Sequence, residues 1–369
     1  MKRFIIGLVA LSLLITGCVD QINIEDVSLS LLIGIDLDEN NNLIFSTSSP
    51  VFNKEAKIKE EEYTSQATTM RKSRDKDDQT FIGLTTGGKA QVILVGKRVM
   101  QHNNWFQLLE PFFRDAKNTL NVRIVMVDGP AYEVVQYAPK DKPRLPLYLS
   151  KLIDTANRRN INVKTTLESL RRLTLEKGIT ASVTELHKDG KLIVTGTALL
   201  EESGKYKFSI GPDETRLLRI LQDETKGEFP FTYKAIGKPK EGVFPNNAYS
   251  FSAQKISVKT KTGFKENKFK FDMDVKMRVV LTERLFPLDV RTEADKLERD
   301  MEQHLKKGFN GLISKIQGAK IDPIGMGLYA RAYEYSHWKS VQDKWGEAFS
   351  DAEVNVKVKV IIASMGPTK

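Results

Sequence analysis

Between positions 268 and 279 apolar and polar side chains alternate. Phe269, Phe271, Met273, Val275, Met277 and Val279 fall on one face, and Lys268, Lys270, Asp272, Asp274, Lys276 and Arg278 on the other. A period of two over this length predicts a strand with one face buried and one in water. Residues 249–261 alternate similarly, and 353–363 (EVNVKVKVIIA) alternate first and then turn apolar, so the end of the chain is expected to complete a sheet. Between these strands the period changes to that of a helix. Ala294, Leu297, Met301, Leu305, Phe309, Leu312 and Ile316 form one stripe over 292–317. Such a stripe serves a partner helix, a membrane or the sheet of its own domain, and the last is expected here. Residues 328–345 read as helical with a break near Trp338.

The first half of the chain shows shorter periods. Residues 28–37 and 43–49 read as paired strands around the turn residues Asp38, Glu39, Asn40, Asn41 and Asn42. The polar, charged stretch 54–79 is expected to form a helix plus an exposed loop. Residues 90–95 and 122–127 are short apolar strands, while 105–114, 147–158 and 165–177 have helical spacing. Thr165 with Glu168 suggests a capping box, and Gly178 stands where a helix-ending glycine belongs. Residues 181–187 and 191–200 flank Lys188-Asp189-Gly190, a strong hairpin signal. A strand at 206–210 and a short helix at 212–222 follow, then a Gly- and Pro-rich connection over 227–247. The pattern predicts an α+β protein with mixed and antiparallel sheets and packed helices. Three domains are expected after a leader at 1–17: an N-terminal α+β domain (18–180), a small middle domain with the hairpin (181–247) and a C-terminal α+β domain (248–369).

The leader carries the strongest local signal. Lys2 and Arg3 precede a mostly apolar run to Thr16, and the small residues before the cut end at Cys18, the only cysteine in the chain. The apolar run of about 13 residues spans roughly 20 Å as a helix, short of the ~30 Å of a bilayer core. Ile15-Thr16-Gly17-Cys18 resembles the bacterial lipobox. That resemblance implies a diacylglycerol and an N-acyl chain on Cys18, which becomes the new N-terminus on the outer face of a membrane. Two or more acyl chains anchor stably where one binds marginally. With its one thiol used in this way, the mature chain has no disulfide, so packing alone must stabilise it.

The hydrophobic fraction of 40% and charged fraction of 28% are those of a globular chain. The net charge of +10 suits an anionic partner, and at an outer membrane face lipid headgroups and wall polymers are available where nucleic acid is not. Lysines and arginines are interleaved with acids along the chain, a pattern closer to solvated surface than to a binding stripe.

No catalytic constellation emerges. Gly83-Leu84-Thr85-Thr86-Gly87-Gly88-Lys89 fits G-x-x-x-x-G-K, but Ala90 replaces the magnesium-binding hydroxyl and the loop opens a strand instead of a helix. Asp36, Asp38 and Asn40 imitate the start of a calcium loop, yet Asn41 stands at the glycine position and Thr47 at the bidentate glutamate. His102, His187, His304 and His337 have no helical partner histidine, and no G-x-S-x-G elbow is present. No metal and no cofactor besides the covalent lipid is expected. The compact run Asp322-Pro323-Ile324-Gly325-Met326-Gly327 has two readings, a shaped recognition surface or a rigid connector between helices.

Taken in order, several blocks resemble the Ger(x)C lipoproteins, the C subunits of bacterial spore germinant receptors. They are Cys18 followed by Asp20 and Asn23-Ile24-Glu25, then Ile33-Gly34-Ile35-Asp36, then Arg114-Asp115 leading into the strand VRIVMV. Gly196-Thr197-Ala198-Leu199 follows the hairpin, and Asp322-Pro323-x-Gly325-x-Gly327 precedes Arg331 and Trp338. Val19 replaces the usual tryptophan, and Leu200 stands where an aromatic is common. The resemblance implies a three-domain α+β protein on the outer surface of the spore inner membrane. It implies two integral-membrane partners, one with a large soluble domain and one transporter-like, and a non-enzymatic role in nutrient-triggered germination. Candidate interface residues are Asp322, Gly325, Gly327, Arg331 and Trp338.

Two other classes share parts of this profile. A solute-binding lipoprotein of a transporter shares the anchor, but it needs two similar α/β lobes, and the second half here is long strands and one long helix. An extracytoplasmic enzyme acting on wall polymer has only the basic balance in its favour.

Overall fold

The computed structural model describes residues 23–236, 247–287 and 290–364. Its fold is α+β. Ten strands make up the first half: β1 Val27–Leu29, β2 Leu32–Leu37, β3 Leu43–Pro50, β4 Glu60–Gln66, β5 Leu84–Thr86, β6 Val92–Gly96, β7 Arg123–Val127, β8 Ser182–Asp189, β9 Lys191–Leu200 and β10 Tyr206–Ile210. β1 pairs with β5 in a small parallel sheet, and the others form one mixed eight-stranded sheet in the order β10-β9-β8-β7-β6-β2-β3-β4. Its centre, β2-β6-β7-β8, is parallel and both flanks are antiparallel. Both faces of that centre are covered. Ile93 and Val95 of β6 point into one core, Val92 and Leu94 into the other, which is why the strand reads as wholly apolar.

Helices α1 Met70–Asp77, α2 Lys97–Met100, α3 Glu110–Arg114, α4 Ala131–Val135, α5 Leu145–Arg158 and α6 Leu167–Leu175 pack on these faces. α7 (Pro212–Leu221) leads to a third sheet, β11 Phe229–Lys234, β12 Ala248–Lys265, β13 Lys268–Arg284 and β14 Glu353–Ser364, ordered β11-β12-β13-β14. The remaining helices are α8 Val290–Gly318, α9 Met326–Tyr333, α10 Tyr335–Val341 and α11 Trp345–Ser350. The stripe Leu297, Met301, Leu305, Phe309, Leu312 and Ile316 lies in the same core as Phe269, Phe271, Met273, Val275, Met277 and Val279, so α8 packs on its own sheet. The edge strand β14 is also covered. Glu298 and Glu302, one turn apart on α8, accept the backbone N–H groups of Ile362 (2.8 Å) and Val360 (3.0 Å).

Several elements differ from expectation, each for a physical reason. Residues 60–66 form the edge strand β4 despite three consecutive glutamates, because long-range bonds override local polarity. The Glu60 carboxylate accepts from Ser48 Oγ at 2.5 Å and from the N–H of Leu145 at the start of α5 at 3.1 Å. β11 lies within the stretch expected to be loop-rich. It buries Phe229 and Phe231 and tolerates Pro230 at the sheet edge, while 237–246 fall outside the described residues. The α6 cap is Thr166 with Ser169, not Thr165 with Glu168, since the Thr165 hydroxyl donates to the Ser182 carbonyl at 2.6 Å.

The expected boundary at 180/181 falls inside one sheet. β8, β9 and β10 hydrogen-bond onto the N-terminal strands, while α7 and β11 belong to the C-terminal core. The hairpin signal marked a turn correctly, but Leu186 and Leu192 need the N-terminal core to bury them, so the hairpin is no separate unit.

Asp77 ends α1 beside a small cavity of about 10 Å³ lined by Ser30, Thr47, Arg74 and Thr85, room for roughly one water. Burial, then the neighbouring Asp78, pushes its carboxyl up to about 7. A raised native pKa means that the native state binds the proton more tightly than the unfolded chain. Stability is therefore lost as pH rises from about 4 to about 7. Asp77→Asn should remove this dependence. Its unfolding free energy relative to the parent should improve by up to about 4 kcal/mol between pH 4 and 8, measured by denaturant titration. A pH-independent difference would contradict the assignment.

Candidate functional site

The turn after α8 is built around one buried carboxylate. Asp322 is fully buried, and its Oδ1 accepts the N–H of Gly325 at 2.8 Å. Its Oδ2 accepts the N–H of Gly327 at 2.9 Å and the indole Nε1–H of Trp345 at 2.8 Å. The carboxylate thus caps the N-terminus of α9 and ties it to α11. Burial raises the Asp322 pKa, and these donors pull it the other way. Gly325 has φ +89°, a left-handed conformation that favours glycine. Gly327 has no room for a side chain, as a Cβ there would meet Gly178 Cα at 2.4 Å.

This turn joins the two halves of the protein. The Asp322 carbonyl accepts the N–H of Thr180 at 2.8 Å, and Gln222 Nε2–H donates to the Pro323 carbonyl at 2.7 Å. Arg331 Nη1 pairs with Glu176 Oε1 at 2.5 Å, just after α6, and its guanidinium lies 5.5 Å from the Trp338 ring. Trp338 is buried, and its Nε1 has no hydrogen-bond partner among the described residues. Asp322, Gly325, Gly327, Arg331 and Trp338 are therefore brought together, as a rigid connector that also clamps the segment 176–180. Their partners Glu176, Thr180, Gln222 and Trp345 went unnoticed in the sequence. Gly178 did carry a signal, as a helix-ending glycine with φ +91°, though its role here is close packing against Gly327.

Beside the clamp opens a cleft of about 730 Å³ between α6, α7 and α9. Lys164, Arg172, Arg219 and Glu224 supply its charges, and Tyr329 and Tyr333 part of its wall. Arg219 is nearly buried, its Nε has no hydrogen-bond partner among the described residues, and its Nη2 lies 4.0 Å from Glu224. Burial lowers its pKa. The Thr180 hydroxyl, which also lines the cleft, is buried and has no hydrogen-bond partner among the described residues. The volume suits a small molecule.

The other sequence candidates have structural tasks. Asp38 accepts the N–H groups of Asn40 and Asn42 at 2.9 and 2.8 Å, holding the β2–β3 turn with Asn41 at φ 62°. The glycine-rich run places β5 against β1 and then turns, with the Ala90 N–H on the Gly87 carbonyl at 3.0 Å. Asp36, in the block Ile33–Asp36, repeats the logic of Asp322. It is buried, accepts the N–H of Ala131 at the start of α4, and fills the space that a side chain at position 96 would need. His187 and His304 bond the carbonyls of Asp128 and Lys234, at 3.0 and 2.9 Å. Among the described residues no group of three His, Cys, Asp or Glu side chains could hold a metal ion, and no helix is long and apolar enough to cross a membrane. Ile15, Thr16, Gly17 and Cys18 lie outside the described residues.

Comparison with known proteins covers the whole of this architecture. Residues 20–188 match the model of the spore germination protein N-terminal domain, and residues 195–366 that of the spore germination B3/GerAC-like C-terminal domain. Spore germination protein B3 of Bacillus subtilis (strain 168) is 23% identical over 387 aligned residues, covering 96% of this chain and 95% of its own. Spore germination protein A3 of the same organism is 21% identical, with 99% and 98% covered. The crystal structure of the GerBC protein superposes with a TM-score of 0.58 at 17% identity, over 90% of this chain and 96% of that one. Two adjoining family domains in the expected order, matched almost end to end by full-length relatives and by a common fold, place this chain in the Ger(x)C family of spore germination proteins.

Proposed function

We propose that this chain is the lipid-anchored, non-catalytic C subunit of a spore nutrient germinant receptor. Diacylglycerol and an N-acyl chain on Cys18 hold it on the outer face of the spore inner membrane. Its folded surface docks onto two integral-membrane subunits, one with a large soluble domain and one transporter-like. The observation that carries this reading is the continuous match of both family domains along nearly the whole chain. The buried carboxylates support it, since Asp36 and Asp322 are spent on helix caps and do not converge on a reaction centre. Affinity purification of the tagged chain from spore membranes should recover both partners. Recovery of the chain alone under conditions that preserve other membrane complexes would count against docking.

One observation favours a second reading, solute binding. The cleft beside the clamp holds Arg219 Nε and Thr180 Oγ1 without hydrogen-bond partners among the described residues, and leaving buried polar groups unmade is costly. Calorimetry with pooled amino acids and sugars tests it. Saturable heat that Arg219→Ala abolishes would move the chain toward a solute-binding role, and flat titrations would remove that reading.

A further inference from the structure

The outer face of the third sheet carries an excess of positive charge that ion pairs among the described residues do not balance. Strand register places it. Lys259 of β12 lies opposite Asp274 of β13, which lies opposite Lys357 of β14. In the next row Lys276 lies opposite Lys359, and Arg278 follows two residues along β13 on the same face. Lys261 flanks Asp272 on the other side. All of these point away from the core that holds Phe271, Met273, Val275 and Met277. Among the described residues Lys259, Lys261, Lys268, Lys276, Arg278 and Lys357 form no ion pair, while Lys270 and Lys359 pair with Glu353 and Glu302, at 2.9 and 3.1 Å.

Lys276 and Lys359 stand side by side on the parallel strands β13 and β14, next to Lys357, and of these three only Lys359 has an ion-pair partner among the described residues, Glu302. Asp272, Asp274 and Glu353 are the acids that the register places among these residues, and Lys259, Lys261, Lys268, Lys270, Lys276, Arg278, Lys357 and Lys359 outnumber them on three adjacent strands, an imbalance of sign that solubility alone does not need. A broad, flat, anionic surface would complement that excess.

We infer that this face rests on the anionic phospholipid headgroups of the membrane to which the chain is tethered. The inference rests on the proposed lipid anchor for the choice of membrane over wall polymer, and on charge complementarity for the face. Lysine and arginine near an anionic leaflet are attracted through its surface potential, and the attraction fades within a Debye length. The sheet would then set the orientation of the whole chain at the membrane, leaving the cleft and the clamp on other surfaces for protein partners.

The test uses the mature chain carrying Cys18→Ala, which has no lipid, so a failure of the anchor reading cannot mimic a failure here. Co-sedimentation is measured with vesicles of phosphatidylglycerol mixed with phosphatidylcholine, and with pure phosphatidylcholine. Binding is expected to the anionic vesicles only, and to fall with salt. Lys259→Glu, Lys276→Glu and Lys357→Glu together should weaken it by about tenfold or more. The exposed triple Lys57→Glu, Lys151→Glu, Lys191→Glu changes net charge equally and should leave most binding intact. Thermal unfolding of both variants checks that they fold. Equal loss in both triples, no binding to anionic vesicles, or binding to purified anionic wall polymer in place of vesicles would overturn the inference.

Discussion

Asp322→Ala should destabilise the protein by about 3–5 kcal/mol, the largest single loss expected outside the apolar cores. The substitution leaves three buried donors without an acceptor: the N–H groups of Gly325 and Gly327 and the indole of Trp345. Each unmade bond to a buried group costs about 1–3 kcal/mol, and partial collapse of the site recovers some of the sum. Asp322→Asn should fall in the same direction, because its amide N–H₂ faces donors where the carboxylate accepted. The effect should reach across the junction, since Thr180 bonds the Asp322 carbonyl and Gly178 packs on Gly327. Chemical denaturation followed by tryptophan fluorescence measures it, with Trp345 as a reporter at the site. A loss under about 1 kcal/mol would mean that the turn is solvated and no clamp.

Phe309→Ala should cost about 3–5 kcal/mol as well, and it tests where the long helix spends its apolar stripe. Phe309 is fully buried and shares a core with Phe271, Met301 and Leu305. If the stripe were held for a partner, its truncation would leave the isolated chain almost unchanged and reduce association alone. Packing on the chain's own sheet predicts the opposite: a lower unfolding midpoint for the purified protein without any partner.

What could be read in advance was set by local periodicity. Met273 and Val275 alternate with Asp272 and Asp274, so β13 announced both its conformation and its buried face. α8 did the same through Leu297, Met301 and Leu305. β4 was hidden because its identity comes from its pairing with β3 and from Glu60 reaching Ser48 and Leu145, and none of these contacts shows in the local pattern of residues 60–66. The continuity of the large sheet across position 180 was hidden likewise. It depends on the β7–β8 pairing of Val125 with Thr184, a contact across α4, α5 and α6.

The site was legible only in part. Asp322, Gly325 and Gly327 stood out through composition and resemblance, but what they do is decided by partners far away in the chain. Glu176, Thr180 and Gln222 are ordinary residues until the fold brings them to the turn. The basic face illustrates the same limit. Along the chain its lysines interleave with acids and read as common surface, and only the register of β12, β13 and β14 gathers them on one side.

Nutrient-triggered germination of spores lacking this chain, compared with spores carrying Cys18→Ala, tests the central claim most directly. A lipid-anchored receptor subunit predicts that both lose the response to the same set of nutrients while vegetative growth stays normal. Deletion spores that germinate like the parent with every nutrient, in a strain free of paralogous receptors, would contradict the receptor role. Full activity of the Cys18→Ala spores beside inactive deletion spores would contradict the anchor.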